Sequence, residues 1–273
     1  MGWKDILIQV GSGPREAQRL GIAAELAERL GAQLRGAYLR GPRLVDVAAA
    51  SPDLGWMLSA DVQRVTLEQE AEDERAAERA RAMFFALVGP HLSPAWVDQE
   101  WAADPWIAQI RCADLTIVGA AGEAGLFAPL SPDRLAAVSG RPILILPSQT
   151  ERPVGRQILV AWNGEREASR ALNDAIGLIE QADDVAVVTV STADSAPVDH
   201  CELKAHLRLH GVSATMVKRS GDAASVLRRE AAERGADLIV MGVYGRSRMA
   251  EWVLGGVSRS MLRDPVLPIL MSH

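Results

Sequence analysis

Cysteine is nearly absent. Cys112 and Cys201 are the only two in 273 residues, they form no CxxC pair, and no histidines stand near them at metal-ligand spacing, which excludes a disulfide framework and a cysteine-based zinc site. Aromatic residues make up 4% of the chain, and no basic stripe interrupts a net charge of −6. That balance argues against a surface built for nucleic acid. Apolar runs stop well short of the ~18 to 20 residues that span a bilayer, so no membrane span is expected. The opening MGWKDILIQV holds an acidic residue and only a short apolar run; it reads as a first strand rather than a signal peptide, and a cytoplasmic location is the expectation. Signatures of turnover are missing too: there is no GxxxxGK(S/T) loop and no nucleophile beside a base. Of the five histidines, His206 and His210 are spaced to share a helix face, but a metal site would need further ligands that the sequence does not locate.

What is present is a repeat. ADLTIVG at 113–119 returns as ADLIVMG at 236–242, and RPILILP at 141–147 as DPVLPIL at 264–270, both at an offset of 123 residues. The openings DILIQVGSGPREAQRL, from Asp5, and QILVAWNGEREASRAL, from Gln157, match at an offset of 152. The first copy is therefore longer by about 29 residues, placed between Gly41 and Ala80, where the charged run EQEAEDERAAERARA predicts a solvated helix. SQTERPVG, from Ser148, reads as a linker. Two domains follow, 1–149 and 155–273, in keeping with the usual domain size of about 100 to 200 residues.

Within each copy, short β-branched runs alternate with amphipathic stretches, the pattern of strand-helix-strand units around a parallel sheet. Strands are expected at Ile6–Val10, Leu34–Leu39, Leu115–Val118 and Ile143–Leu146, and at Ile158–Trp162, Val185–Val190, Thr215–Lys218, Leu238–Met241 and Val266–Leu270. Ala168, Ala171, Leu172, Ala175 and Leu178 form one helical stripe. The fold class is α/β: two doubly wound domains, each with a five-stranded, mainly parallel sheet.

In such sheets ligands bind beyond the carboxyl ends of the strands. After Met241 come Gly242, Gly245 and Arg246, then nine residues after Gly245 the group Gly255, Gly256, Val257 and Ser258, with Gly256–Arg263 able to open a helix toward an anion. Two glycines three apart, nine residues, then glycine and a hydroxyl residue nearby: this spacing resembles the nucleotide-binding signature of the universal stress protein family, and the strand order around it resembles that family over nearly the whole chain in two tandem copies. The resemblance implies an adenine nucleotide alpha hydrolase-like fold and a site for ATP or ADP with Mg in the C-terminal copy. Ala161, Trp162 and Asn163 would lie by adenine and ribose, Asn163 standing in place of the family's aspartate. Val190 would pack near adenine, Met241 to Gly245 would pass the ribose and phosphates, and Gly255 to Ser258 would hold the phosphate end, with Gly256 in place of a common hydroxyl residue and Arg246 or Arg248 available to neutralise charge.

Plainer readings stay open. Gly242 and Gly245 suit a strand-to-helix turn, Ser258 suits a helix cap, and Trp252 suits a core or interface position. A gapless 123-residue offset places Pro132 opposite Gly255, Asp133 opposite Gly256 and Glu123 opposite Arg246, so the N-terminal copy is expected to bind no nucleotide. The family resemblance implies a binding or signalling role in stress response, with at most slow ATP hydrolysis. It also implies pairing of last strands, here between the two copies as an internal pseudo-dimer, with a homodimer and unidentified protein partners as further possibilities. The alternative is a nucleotide-free interaction module.

Overall fold

The computed structural model describes residues 2–13, 15–40, 60–99, 103–120, 130–151, 153–191, 198–243, 256–263 and 265–273. Its first half contains β1 (Asp5–Gln9), α1 (Glu16–Leu30), β2 (Gln33–Leu39), α2 (Ala60–Leu87), β3 (Ala95–Gln99), α3 (Ala103–Arg111), β4 (Leu115–Gly119), α4 (Pro132–Ser139) and β5 (Ile143–Leu146). The second half contains β6 (Gln157–Ala161), α5 (Arg166–Asp174), α6 (Ile176–Ile179), β7 (Asp184–Ser191), α7 (Cys201–Leu209), β8 (Thr215–Ser220), α8 (Ala223–Arg234), β9 (Leu238–Gly242), α9 (Gly256–Arg263) and β10 (Ile269–Ser272).

All ten strands join one sheet in the order β3-β2-β1-β4-β5-β10-β9-β6-β7-β8. Each half is parallel throughout and has the same internal order, running outward in opposite directions from the middle. The two meet where β10 pairs antiparallel with β5, Ile269 opposite Ile145 and Leu270 opposite Leu144. The expected pairing of the last strands is thus an intramolecular seam. It covers the β5 edge and the β10 edge with each other, and so removes two exposed sheet edges.

Both faces of the sheet are buried, which is why the strands read as continuous apolar runs rather than alternating ones. One core contains Ile6, Leu20, Phe84, Leu144, Ile158, Leu172, Leu203 and Leu270, packed under α1, α2, α5 and α7. The other contains Leu7, Trp106, Ile145, Leu159, Leu227, Met241, Met261 and Ile269, under α3, α4, α8 and α9. Both cores run across the seam, because successive residues of β5 and β10 alternate between them. The helical stripe expected after Glu165 is present, although the helix breaks between α5 and α6 at Ala175; Ala168, Ala171, Leu172, Ala175 and Leu178 are all buried.

The extra length of the first copy supplies α2, a 28-residue helix. Its charged face carries Arg64–Glu68 and Arg79–Glu72 pairs, as the composition predicts, but Ala76, Ala77, Ala80 and Phe84 are buried in the core, the helix packing on both α1 and β2. A side chain on Gly36 would collide with Phe84 and Trp96 at 2.7 and 2.8 Å, so glycine there lets the long helix seat on the sheet. Tyr38 donates to Asp73 at 2.8 Å, and Arg40 pairs with Glu74.

Three expectations are corrected. β3, AWVDQ, is a further strand beyond those expected, a short outer one in which three apolar residues followed by two polar ones give too brief a run to signal it. The last strand begins at Ile269 rather than Val266, since Val266 is 57% exposed and Pro268 has no N–H for the ladder. Pro268 is instead the counterpart of Pro142, for their carbonyls accept from Ile239 and Thr116 respectively, at 2.9 and 3.1 Å. The two copies therefore match at an offset of 126 at their last strands, not 123. The gapless pairing of Asp133 with Gly256 and of Pro132 with Gly255 does not hold. In burial, Leu135 and Ala136 correspond to Met261 and Leu262.

Candidate functional site

In the second half the winding reverses at β6, whose neighbours are β7 on one side and β9 on the other. The carboxyl ends of these three adjacent parallel strands carry Ala161, Val190, Met241 and Gly242. Trp162 N–H donates to the Val188 carbonyl at 2.9 Å, so the β6 end stays paired up to the point where Asn163 leaves the sheet. Ala161, Val190 and Val257 are partly buried and pack against the core that holds Met241 and Met261. Each leaves part of its apolar side chain open on the α9 side of the sheet.

Helix α9 opens at Gly256, as the sequence suggests, and a Cβ there would meet nothing within 4 Å. Ser258, in its first turn, is buried at 5% exposure. Gly245, Arg246 and Gly255 lie outside the described residues, as do Arg248, Trp252 and Glu123.

Two residues acquire structural reasons of their own. Gly242 packs so tightly on the start of α5 that a Cβ would lie 2.5 Å from Glu167 C and 2.7 Å from Ala168 N. Asn163 Oδ1 accepts from the Glu165 backbone N–H at 3.0 Å, and Gly164 takes φ +79° behind it, a side-chain-closed turn that launches α5. The asparagine acceptor is therefore used internally, which leaves the exposed residue its two amide N–H donors.

The ADL repeat also finds its explanation. Asp237 accepts backbone N–H bonds from Gly155, Arg156 and Gln157 at 2.7 to 3.1 Å, and its counterpart Asp114 accepts from Lys4 and Asp5 at 2.8 and 3.1 Å. These carboxylates hold the entrance of the first strand of each half, at the opposite end from the candidate site.

The first half closes the equivalent region with its own side chains. Glu16 is buried at 4% exposure, ion-paired with Arg19, and comes within 3.0 Å of a Cβ built on Gly11. Helix α4 begins after Ser131 with Pro132, which supplies no N–H, and with Asp133, 2% exposed in the first turn. A carboxylate of the chain thus sits where helix N–H groups would attract an anion.

On the other face of the second half, α5, α7 and the turn after β6 line an open cleft of about 620 Å³ that shares only Trp162 and Asn163 with the sequence-predicted set. Asp199, Glu202 and His206 line it. His206 and His210 lie side by side, as their spacing suggests; the rings stack edge to face at 4.8 Å, His210 bonds Glu180 at 2.8 Å, and among the described residues no three metal-ligating side chains gather. No helix among the described residues is long and apolar enough to cross a membrane.

Comparison with known proteins agrees with this architecture. The model of the universal stress protein family matches residues 193–273. The chain is 22% identical over 285 residues to universal stress protein Slr1230 of Synechocystis, covering 98% of this chain and 99% of that one. The crystal structure of a universal stress protein from Archaeoglobus fulgidus superposes with a TM-score of 0.68 at 14% identity, covering 98% and 96% of the two chains. A functionally unknown protein from Pseudomonas aeruginosa superposes at 0.60 with 17% identity, covering 99% and 92%. With its tandem, doubly wound halves, the chain is similar to universal stress proteins over nearly its full length, and its residues 193–273 match that family's model.

Proposed function

We propose that the C-terminal half, taken as a domain spanning 155–273, binds one adenine nucleotide, ATP or ADP with Mg, and that the N-terminal domain, 1–149, binds none. The observation that carries this reading is the set of part-open apolar side chains, Ala161, Val190 and Val257, at the reversal point of the sheet, beside a helix that opens at an unobstructed Gly256. A planar base packs on such side chains. The Asn163 amide donors meet the acceptor nitrogens of adenine or a ribose oxygen, and Trp162 fixes the turn that holds them. Met241 and Gly242 lead the chain past the ribose. The phosphates meet the first N–H groups of α9, with Gly245, Arg246, Gly255 and the Ser258 hydroxyl completing the donors and positive potential. Binding that reports nucleotide state, with at most slow hydrolysis, is the activity proposed, in a stress-response protein that acts on protein partners.

Titration calorimetry with Mg-ATP tests it. The reading expects one nucleotide per chain and at least a tenfold loss in Gly256→Asp. Asp in a first helical turn favours the helix and has open space here, so the variant folds, while its charge opposes phosphate. Absence of saturable heat, or unchanged affinity in the variant, would instead favour the nucleotide-free interaction module.

A further inference from the structure

Val198 and Asp199 lead into α7, across the cleft from the turn that carries Asn163. A Cβ built on Gly164 would stand 3.5 Å from Val198 Cγ1, so Val198 lies against that turn. What holds Val198 in place is buried just behind it. His200 is buried and its Nε2 lies 2.8 Å from Thr189 Oγ1 on β7. Its carbonyl accepts from Lys204 N–H at 2.8 Å, the first bond of α7, and Asp199 Oδ1 accepts from Cys201 N–H at 3.0 Å. One ring thus pins the start of α7 to the sheet, and through Val198 the start of α7 bears on the Asn163 turn.

Histidine changes charge near neutral pH. The neutral imidazole suits the Thr189 hydroxyl, which donates or accepts according to the tautomer, whereas an imidazolium in the same place would be stripped of water. Burial above all, and then Lys218, which stands opposite Thr189 in the β7–β8 ladder, hold the ring below its ordinary range; Asp199 pulls the other way. The neighbouring Cys201 thiol, pushed up first by its hydrogen bond with Asp199, stays neutral.

We propose that His200 is a proton-operated latch for the Asn163 turn. Neutral, the ring keeps the start of α7 on the sheet. On taking up a proton it leaves Thr189 for water, the start of α7 loosens, and Val198 no longer braces the turn. The release needs no nucleotide, but its consequence rests on the nucleotide reading: affinity falls with pH, because the Asn163 amide donors lose their fixed position. Bound nucleotide opposes proton uptake at His200 by the same factor.

Amide hydrogen exchange of the full chain without nucleotide, read by mass spectrometry between about pH 7.5 and 5.5 and corrected for the intrinsic pH dependence of exchange, reports the release. Protection of segments 198–209 and 162–169 should fall at least fivefold in wild type while that of α8 holds. His200→Gln, whose uncharged amide still bonds Thr189, should keep its protection throughout. The midpoint should follow the local charge: upward in pH for Lys218→Gln, which removes the opposing cation, and downward for Asp199→Asn. Both positions are exposed, so neither substitution threatens the fold. Mg-ATP affinity should fall at least threefold over the same range in wild type relative to His200→Gln, the titration of the nucleotide itself being common to both. Equal loss of protection in wild type and His200→Gln, or a midpoint indifferent to both charge changes, would overturn the latch. Failure of Mg-ATP to bind at any pH would instead contradict the nucleotide site, and the exchange result would still decide the latch.

Discussion

A side chain on Gly242 would place its Cβ 2.5 Å from the carbonyl carbon of Glu167, so the end of β9 and the first turn of α5 touch only because position 242 is bare. The atoms it would strike are backbone, which cannot swing aside. Gly242→Ala should therefore destabilise the chain by roughly 1–3 kcal/mol or more without any nucleotide present, read as a lower urea midpoint. A neutral substitution would show that α5 can shift, and would restore Gly242 as a residue kept for ligand approach.

Asp237 anchors three consecutive backbone N–H groups at the entrance of β6, whereas Asp114 anchors two at the entrance of β1. Removing the carboxylate strands these donors. Asp237→Ala should cost about 2–3 kcal/mol in equilibrium unfolding, and more than Asp114→Ala. The reverse order would contradict the geometry.

The seam makes the halves cooperative. Leu270 is fully buried opposite Leu144, in a core shared by α1 and α5. Leu270→Ala should cost about 2–5 kcal/mol and lower the melting of both halves as one calorimetric transition. Two separate transitions in this variant would mean that the halves unfold independently.

His200 is 7% exposed and its Nε2 lies 2.8 Å from Thr189 Oγ1. Burial first, then the charge of Lys218, holds its pKa below the ordinary value of about 6.5. The native form is thus the neutral ring. Its contribution to stability is fully present above the unfolded-state pKa and is lost as pH falls through that value toward the lower folded one. The melting temperature should drop between about pH 7 and pH 5 more steeply in wild type than in His200→Gln. Parallel curves would show that this histidine is not desolvated.

Much of this fold was legible because buried parallel strands are near-continuous apolar runs and the second copy repeats the first. Ile6, Leu115 and Ile143 have partners in Ile158, Leu238 and Ile269, so two weak strand signals reinforce each other. The signal failed where it depended on a partner: β3 is a strand because Trp96 lies in register with Gly36, a relation that no local pattern displays. It also slipped by three residues at β10, where VLPIL resembles ILILP in letters but Pro268 shifts the ladder. The site was legible in part. Strand ends and the start of α9 fell where expected, but the internal uses of Gly242 and Asn163, and the open cleft lined by α5 and α7, depend on contacts between distant segments.

The most direct measurement is thermal melting of the wild-type chain with and without saturating Mg-ATP. At about 100 times the dissociation constant, a ligand bound only by the folded state adds about 2.7 kcal/mol. The account predicts a clear rise in melting temperature for wild type and none for Gly256→Asp. Unchanged melting of a folded wild-type chain at millimolar Mg-ATP would contradict it.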